Sequence, residues 1–481
     1  MPPVVLPIAN GFYESDSLPI AAQQCVNFYP NIVQGVGLNQ ETLFGTPGTS
    51  QLATTGVTQQ IGRGSHVMAG IYYFVNGTSL YRLNKTIVDG VDTFDFDELG
   101  TVPGTGRVSM ADNGTQLCVM VPGGDGFIFV EAGDTFTQIT DGDFIAHGNP
   151  QIVAYIDGYF VFTTDSKKFI ISALNDGLSY NALDFGTAEA DPDDIVAPIV
   201  FNNQLFIGGS ETMEAYQNIG GAGFPFQRTG LFIQKGVSAP FVISTSSDTF
   251  LFIGAGENEK PSVWAFGGNS VTKVSTTAID NEIHKLTQAE LQNSFAWSYA
   301  EKGAFFVGFS SPQFSFVYDI ITGRWAERKS LIGTRQERYR HNSFAQAYDR
   351  IIVTDSQDGR VGELDSDVYM EYGNRITRVV ASQPFQNNMK PVFVPSIELT
   401  MEAGVGNTDV EEPLVVMDIS RDGKTWNDQR MRKIGRIGEY FRRTIWRRNG
   451  RMSRFFIVRF TVTDEVKPVI IQVTADIRSA A

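Results

Sequence analysis

The chain has 481 residues, 42% hydrophobic and 19% charged, with a formal net charge of −15. That apolar content supports a large core shared by two or more domains and excludes a disordered chain. The negative balance excludes wholesale coating of nucleic acid, whose phosphates would repel it.

The first ten residues carry no basic side chain and no long apolar run, and nowhere do about eighteen apolar residues follow one another. The expectation is a protein made in the cytoplasm, without a secretory leader or membrane insertion. Residues 1–60 read as an extended strap, with turn-forming pieces such as Tyr29-Pro30 and Gly45-Thr46-Pro47-Gly48 and little periodicity. Cys25 and Cys118 are too few for a disulfide framework or a zinc site, and are expected as buried free thiols. From residue 61 to 385 an alternating apolar strand, a tight turn and a second strand recur every 42 to 50 residues, beginning near Val67, Ser109, Ile152, Pro198, Asp248, Trp297 and Phe344. Turns such as Asn76-Gly77, Asn113-Gly114 and Asp157-Gly158 tolerate the positive φ that tight hairpins need. Hairpins that cannot bury their faces alone, repeated at this period, predict a β-propeller of six or seven blades. One helix is expected between two repeats, Asp280 to Asn293, with a capping box at Thr287 and Glu290.

Pro384, Pro391 and Pro395 break the pattern, because prolines lack the amide hydrogen that continuous pairing uses. Beyond them, residues 390–481 predict a β-sandwich. Ile397, Leu399 and Met401 alternate with Glu398, Thr400 and Glu402. Phe456, Val458, Phe460 and Val462 repeat the pattern, as do Val469, Ile471, Val473 and Ala475. Within this domain, residues 421–460 hold thirteen Lys or Arg against three Asp or Glu, a local +10 that leaves −25 of the overall −15 on the rest of the chain. In a strand, Arg442, Thr444, Trp446 and Arg448 would share one face, with Arg436, Arg443, Arg447, Arg451 and Arg454 nearby. Guanidinium groups beside an exposed Trp suit a protein partner or another copy of the chain, suit DNA phosphates, or form a merely solvated face.

Nothing points to catalysis or a cofactor. The four histidines, His66, His147, His284 and His341, are far apart and match no metal or nucleophile motif. Gly220-Gly221-Ala222-Gly223 lacks the spacing of a phosphate cradle, and Asp191-Pro192-Asp193-Asp194 reads as a solvated turn rather than a calcium loop. Ser420-Arg421-Asp422-Gly423-Lys424-Thr425-Trp426 is similar to the Asp-box hairpin of sialidases and other propeller enzymes, although one residue short. That keeps a glycan-directed propeller, hydrolase or lectin, as the alternative reading. A turn held by Asp422 and anchored by Trp426 accounts for the segment without catalysis.

Several stretches together carry a wider resemblance. They are residues 22–30 (AQQCVNFYP) followed by 45–48 (GTPG); 223–228 (GFPFQR), 233–236 (IQKG) and 239–240; 274–279 (VSTTAI), 318–319 and 322–328 (TGRWAER); and 359–364 with 438–440 (GEY) and 446–451 (WRRNGR). In order and spacing they resemble the packaged-DNA stabilisation, or tail hub (nozzle), proteins of short-tailed phages of the Salmonella podovirus type. The resemblance implies a non-enzymatic virion protein assembled in the host cytoplasm. It implies six copies in a ring below the portal and its head-to-tail adaptor, tailspikes or fibres outside and a needle or plug at the tip. Packaged double-stranded DNA would be retained and then conducted through that ring.

Overall fold

A computed structural model of the chain describes residues 3–33, 35, 37–58, 60–188, 193–221, 223–246 and 248–479. Asp191, Pro192 and Ala222, and with them part of the acidic and glycine-rich turns read above, lie outside the described residues. Five separate four-stranded antiparallel sheets follow one another from Gly62–Met68 to Ser270–Lys273. A sixth set of four strands (Phe295–Glu301, Ala304–Ser310, Ser315–Asp319, Arg324–Glu327) and a seventh (His341–Ala347, Arg350–Asp355, Asp358–Asp365 and the early strand Gly48–Thr58) belong to larger sheets.

The sheets pack face to face, so a middle strand is covered on both sides and its sequence is a continuous apolar run rather than an alternating one. Tyr72 to Val75, Leu117 to Met120 and Phe160 to Phe162 are all fully buried. Each interface has its own layer of side chains. Tyr73 and Val75 of the first sheet meet Leu117, Val119 and Phe129 of the second. Cys118 and Met120 meet Phe160 and Phe162 of the third, and Trp297 of the sixth stacks on Phe344 of the seventh at 4.2 Å. Ile352, Val361 and Ala53 of the seventh cover Tyr72 and Phe74 of the first, which closes the ring. The closing strand is borrowed from the start of the chain, with Ala53 opposite Val361 and Thr49 opposite Leu364. Asp157 and Gly158, with φ of 51° and 92°, form the hairpin turn expected at that pair.

The expected single helix is two. Thr277–Lys285 is capped by Thr276, and Gln288–Gln292 by Thr287. Leu286 and Thr287 both have extended backbone, and the reciprocal Thr287–Glu290 box starts a new helix rather than continuing the old one.

The sandwich packs two sheets. One runs Thr444–Arg447, Val392–Met401, Val469–Ser479, Glu41–Gly45, Phe28–Ile32; the other runs Cys25–Val26, Arg378–Ala381, Phe455–Val462, Leu414–Ser420, Arg430–Lys433. Ile397, Leu399, Phe456, Val458 and Phe460 point into the core as their alternation predicts. In the last strand Ile470 is buried and Ile471 is not, because the register against Val392–Met401 shifts between Thr400 and Met401.

The first 60 residues are woven through both parts. Val4–Leu6 and Glu41–Gly45 add to Val469–Ser479, while Gly48–Thr58 completes the seventh propeller sheet. Between them Cys25–Val26 is spliced into a junction: Val26 pairs in parallel with Glu327 and antiparallel with Val379. One continuous sheet therefore runs from the sixth propeller sheet through this strand into the sandwich.

Candidate functional site

The basic segment forms one edge of the sandwich. It opens on the turn after Ser420, where the Asp422 carboxylate accepts from the Lys424 amide (2.8 Å), the Thr425 amide (2.7 Å), the Thr425 hydroxyl (2.6 Å) and the Ser420 hydroxyl (3.1 Å). The Thr425 hydroxyl and amide lead the donors that hold the Asp422 carboxyl well below the usual carboxylate range. Trp426 closes a bridge to Ser420 and lies under the Arg459 guanidinium at 3.9 Å. Gly423, at φ 78°, presses on the strap: a Cβ there would meet the backbone of Leu18 and Pro19 at 2.9 Å. The Asp-box-like hairpin is thus a docking turn for the N-terminal strap, and it sits in the sandwich, outside the propeller.

Trp446 is not exposed. Its side chain is fully buried, 5.6 Å from the Phe460 ring, and its indole N–H donates to the Arg430 carbonyl at 2.8 Å. In Thr444–Arg447 it is Thr444 and Trp446 that face the core. Arg442 and Arg448 do not continue that face, because the strand is four residues long and Arg448 takes φ 61°.

The arginines divide by what they touch. Arg430 and Arg432 are consumed in holding the two sheets together at this edge, donating to the carbonyls of Arg447 (3.2 Å) and Ile445 (3.0 Å). Arg436 pairs with Glu411 at 3.1 Å and with Glu412, and Arg442 pairs with Glu439 at 3.2 Å. Arg443 grips Glu398 with both ends of its fork, at 2.7 and 2.6 Å. These pairs are solvent-exposed and add little stability, though they fix orientation. Arg447, Arg448, Arg451 and Arg454 are exposed and make no ion pair among the described residues. Across Val392–Met401, Arg447 stands opposite Ser396 and Arg451 opposite Phe393, so the unpaired charges gather toward one end of the edge.

At the other end lies a feature that charge counting misses. The loop between Arg430–Lys433 and Thr444–Arg447 presents Phe441 at 97% exposure, Ile437 at 68% and Tyr440 at 66%. Three large apolar side chains thus stand in water beside the paired Arg436, Arg442 and Arg443. Their signal in the sequence is Ile437, Tyr440 and Phe441 grouped around Gly438, which follow neither strand nor helix period.

The histidines and cysteines are held by contacts within the fold. His341 is buried, within 2.9 Å of the Thr49 hydroxyl, and burial lowers its pKa well below the ordinary value. His147 and His284 contact the backbone carbonyls of Ala182 and Pro261. Cys25 and Cys118 are free and buried, and burial pushes the Cys25 thiol up to about 12. Among the described residues no group of three or more His, Cys, Asp or Glu could hold a metal ion.

Comparison with known proteins assigns both halves of this architecture. Residues 4–369 match the family model described as "Bacteriophage P22 Gp10, beta-propeller". Residues 377–478 match the model "Bacteriophage P22 Gp10, beta-sandwich". The tail hub protein gp10 of Salmonella phage P22 is 23% identical over 410 residues, covering 81% of this chain and 83% of that protein. Among solved structures, the WD40 β-propeller domain of Doa1 is similar over 66% of this chain and 97% of its own, at 11% identity and a TM-score of 0.40. A chain of a mitotic checkpoint complex is similar over 70% and 96%, at 11% identity and a TM-score of 0.42. With the propeller and sandwich models matched in order along the same chain, this protein belongs to the podovirus tail hub family represented by bacteriophage P22 Gp10.

Proposed function

We propose that the chain works as one segment of a six-membered ring in a phage tail, below the portal and its head-to-tail adaptor, where it retains packaged double-stranded DNA and conducts it during ejection. Membership of the tail hub family makes it a structural protein of the virion rather than an enzyme. The finer reading rests on the sheet that continues from the sixth propeller sheet through Cys25–Val26 into the sandwich. Two packed bodies joined by continuous strand pairing resist bending at the junction, and a conduit for DNA under pressure needs that stiffness.

The basic edge meets a protein neighbour in this reading: another copy, the adaptor, a tailspike or fibre, or the needle or plug. Arg447, Arg448, Arg451 and Arg454 lack carboxylate partners among the described residues, whereas the rest of the chain carries the −25 excess that a neighbouring copy would offer them. Arg436, Arg442 and Arg443 flank the apolar loop and frame its contact, and Trp446 supports the edge from beneath. An acidic lining lets DNA slide, because every phosphate neutralised adds an attraction to be broken.

Electron microscopy of the protein mixed with its adaptor ring tests this directly. Six copies seated on the adaptor, basic edge against protein, is the expected image. Particles that stay single, or Arg447 and Arg451 turned into the lumen, refute the arrangement. A salt titration tests the DNA contact: a site using about five phosphates loses affinity with a log–log slope of about −4 to −5.

A further inference from the structure

The innermost strands of the propeller sheets converge on an axial cavity of about 460 Å³. Its wall is drawn from six of them in turn, with His66, Ala111, Ala154, Ile199, Ile243 and Phe295 each on a different sheet. The seventh enters through Asn342, whose backbone carbonyl accepts from Arg107. Most of the lining side chains are apolar although the exposed wall is polar in larger part, and its ionisable members are His66, Tyr155 and Arg107. Two of these are already engaged: His66 with Asp112 at 2.6 Å, and the Tyr155 hydroxyl with Asn175 at 3.3 Å.

Arg107 donates to the Asn342 carbonyl but has no acidic partner among the described residues. Its guanidinium lies 3.7 Å from the centre of the Phe295 ring and 5.8 Å from that of Phe241, and it makes no ion pair among the described residues. A second guanidinium, Arg338, sits 5.7 Å from the same Phe295 ring and spends its donors on the Tyr339 carbonyl and the Asn342 side chain. It too forms no ion pair among the described residues. Burial first, and then the like charge of Arg338, push Arg107 down to about 9. A partly buried cation beside another cation, with no carboxylate against it among the described residues, is a charge that an anion in the cavity would complement.

We propose that the axial cavity is a binding site for a carboxylate carried on an apolar or aromatic body, with Arg107 as the group that grips the carboxylate. The planar fork offers two parallel N–H donors to the two oxygens. Phe241, Ile199 and Ile243 receive the apolar body, and the cavity has the size of an ordinary small-ligand site. Such a carboxylate comes either from a free small molecule or from an acidic side chain of a neighbouring protein segment. The site is independent of the ring assembly proposed above, because it lies within one chain.

Calorimetric titration of the full chain separates these sources with three probes: benzoate, the peptide N-acetyl-Phe-Glu-amide, and benzyl alcohol as the uncharged control. Saturable binding of benzoate or of the peptide, one per chain, is expected, with benzyl alcohol at least about tenfold weaker, as for a lost charge-assisted hydrogen bond. Benzoate binding identifies a free ligand; binding of the peptide alone identifies a protein segment. Arg107→Gln, verified as folded by circular dichroism, is expected to weaken the bound probe by about tenfold or more, and Arg107→Lys by less. Ala154→Leu fills the cavity without touching Arg107 and is expected to abolish binding, which keeps the test decisive if Arg107→Gln fails to fold. No saturable binding of either anion, equal binding of benzyl alcohol, or unchanged affinity in Arg107→Gln or in Ala154→Leu overturns the proposal.

Discussion

At the residue scale the chain carries buried charge that titrates near neutrality. Glu371 accepts from the Ser330 hydroxyl at 2.9 Å and lies 3.9 Å from His341, and burial pushes its carboxyl up from 4.5 to about 7. The folded state therefore holds a proton there that the unfolded state has lost, so Glu371's own contribution is greatest below about pH 4.5 and declines as the pH rises toward 7, by up to about 3 kcal/mol, while His341, held neutral by burial, contributes in the opposite sense over the same window. Burial raises Glu301, Glu327 and Asp355 in the same direction. The urea midpoint of the wild type should lose ground against that of Glu371→Gln as the pH rises across this window; a difference that does not change with pH would mean that Glu371 does not titrate there. Trp446→Ala removes a fully buried ring and leaves the Arg430 carbonyl without its donor, so a loss of about 3–5 kcal/mol in denaturant unfolding is expected. Trp446 also shows what alternation leaves open. A period of two reveals two faces of a strand, but charged neighbours at 447 and 448 suggest the wet one only if the strand is long enough to keep parity, and here it ends at Arg447.

Elements repeat the same lesson. The capping box at Thr287 was readable because it is a local pattern, yet the same local signal splits the helix, since an N-cap needs extended backbone where a continuous helix does not. Thr287→Ala is expected to lower stability by about 1 kcal/mol, read by thermal unfolding. The basic edge was legible as charge, whereas the division between paired and unpaired arginines was not, because Glu398, Glu411 and Glu412 reach it from elsewhere in the sandwich. Reversing Arg447 and Arg448 to Glu should leave the circular dichroism spectrum unchanged and prevent assembly onto the adaptor–portal complex. Normal tail assembly by that variant would remove the unpaired end from the contact. Phe441→Ser should leave the unfolding midpoint in place, since the ring is 97% exposed, while weakening the same assembly.

Over the whole molecule, periodicity located the propeller well. Ser109, Ile152, Pro198, Trp297 and Phe344 all fall on innermost strands, while Asp248 falls in the turn after Ile243–Thr245, a strand too short to show alternation. The first 60 residues were opaque for a different reason. Pieces of two or three residues, such as Val4–Leu6 and Cys25–Val26, are too short for a period, and their partners lie hundreds of positions away. Because those pieces pair with both the propeller and the sandwich, calorimetry should show one cooperative transition; two separated peaks would mean that the junction strand couples the halves weakly.

The clasp also sets an order of events during synthesis. Gly48–Thr58 leaves the ribosome early, but its partner Asp358–Asp365 emerges only after six sets of strands have followed, and Val469–Ser479 comes later still. Until then the nascent chain exposes unpaired strand edges, and the last closures demand contacts of very long sequence separation, which are intrinsically slow. The ring that is stiff once shut is thus vulnerable to aggregation while it is being made, and a ribosome stalled before residue 358 would release a circle missing its final staple.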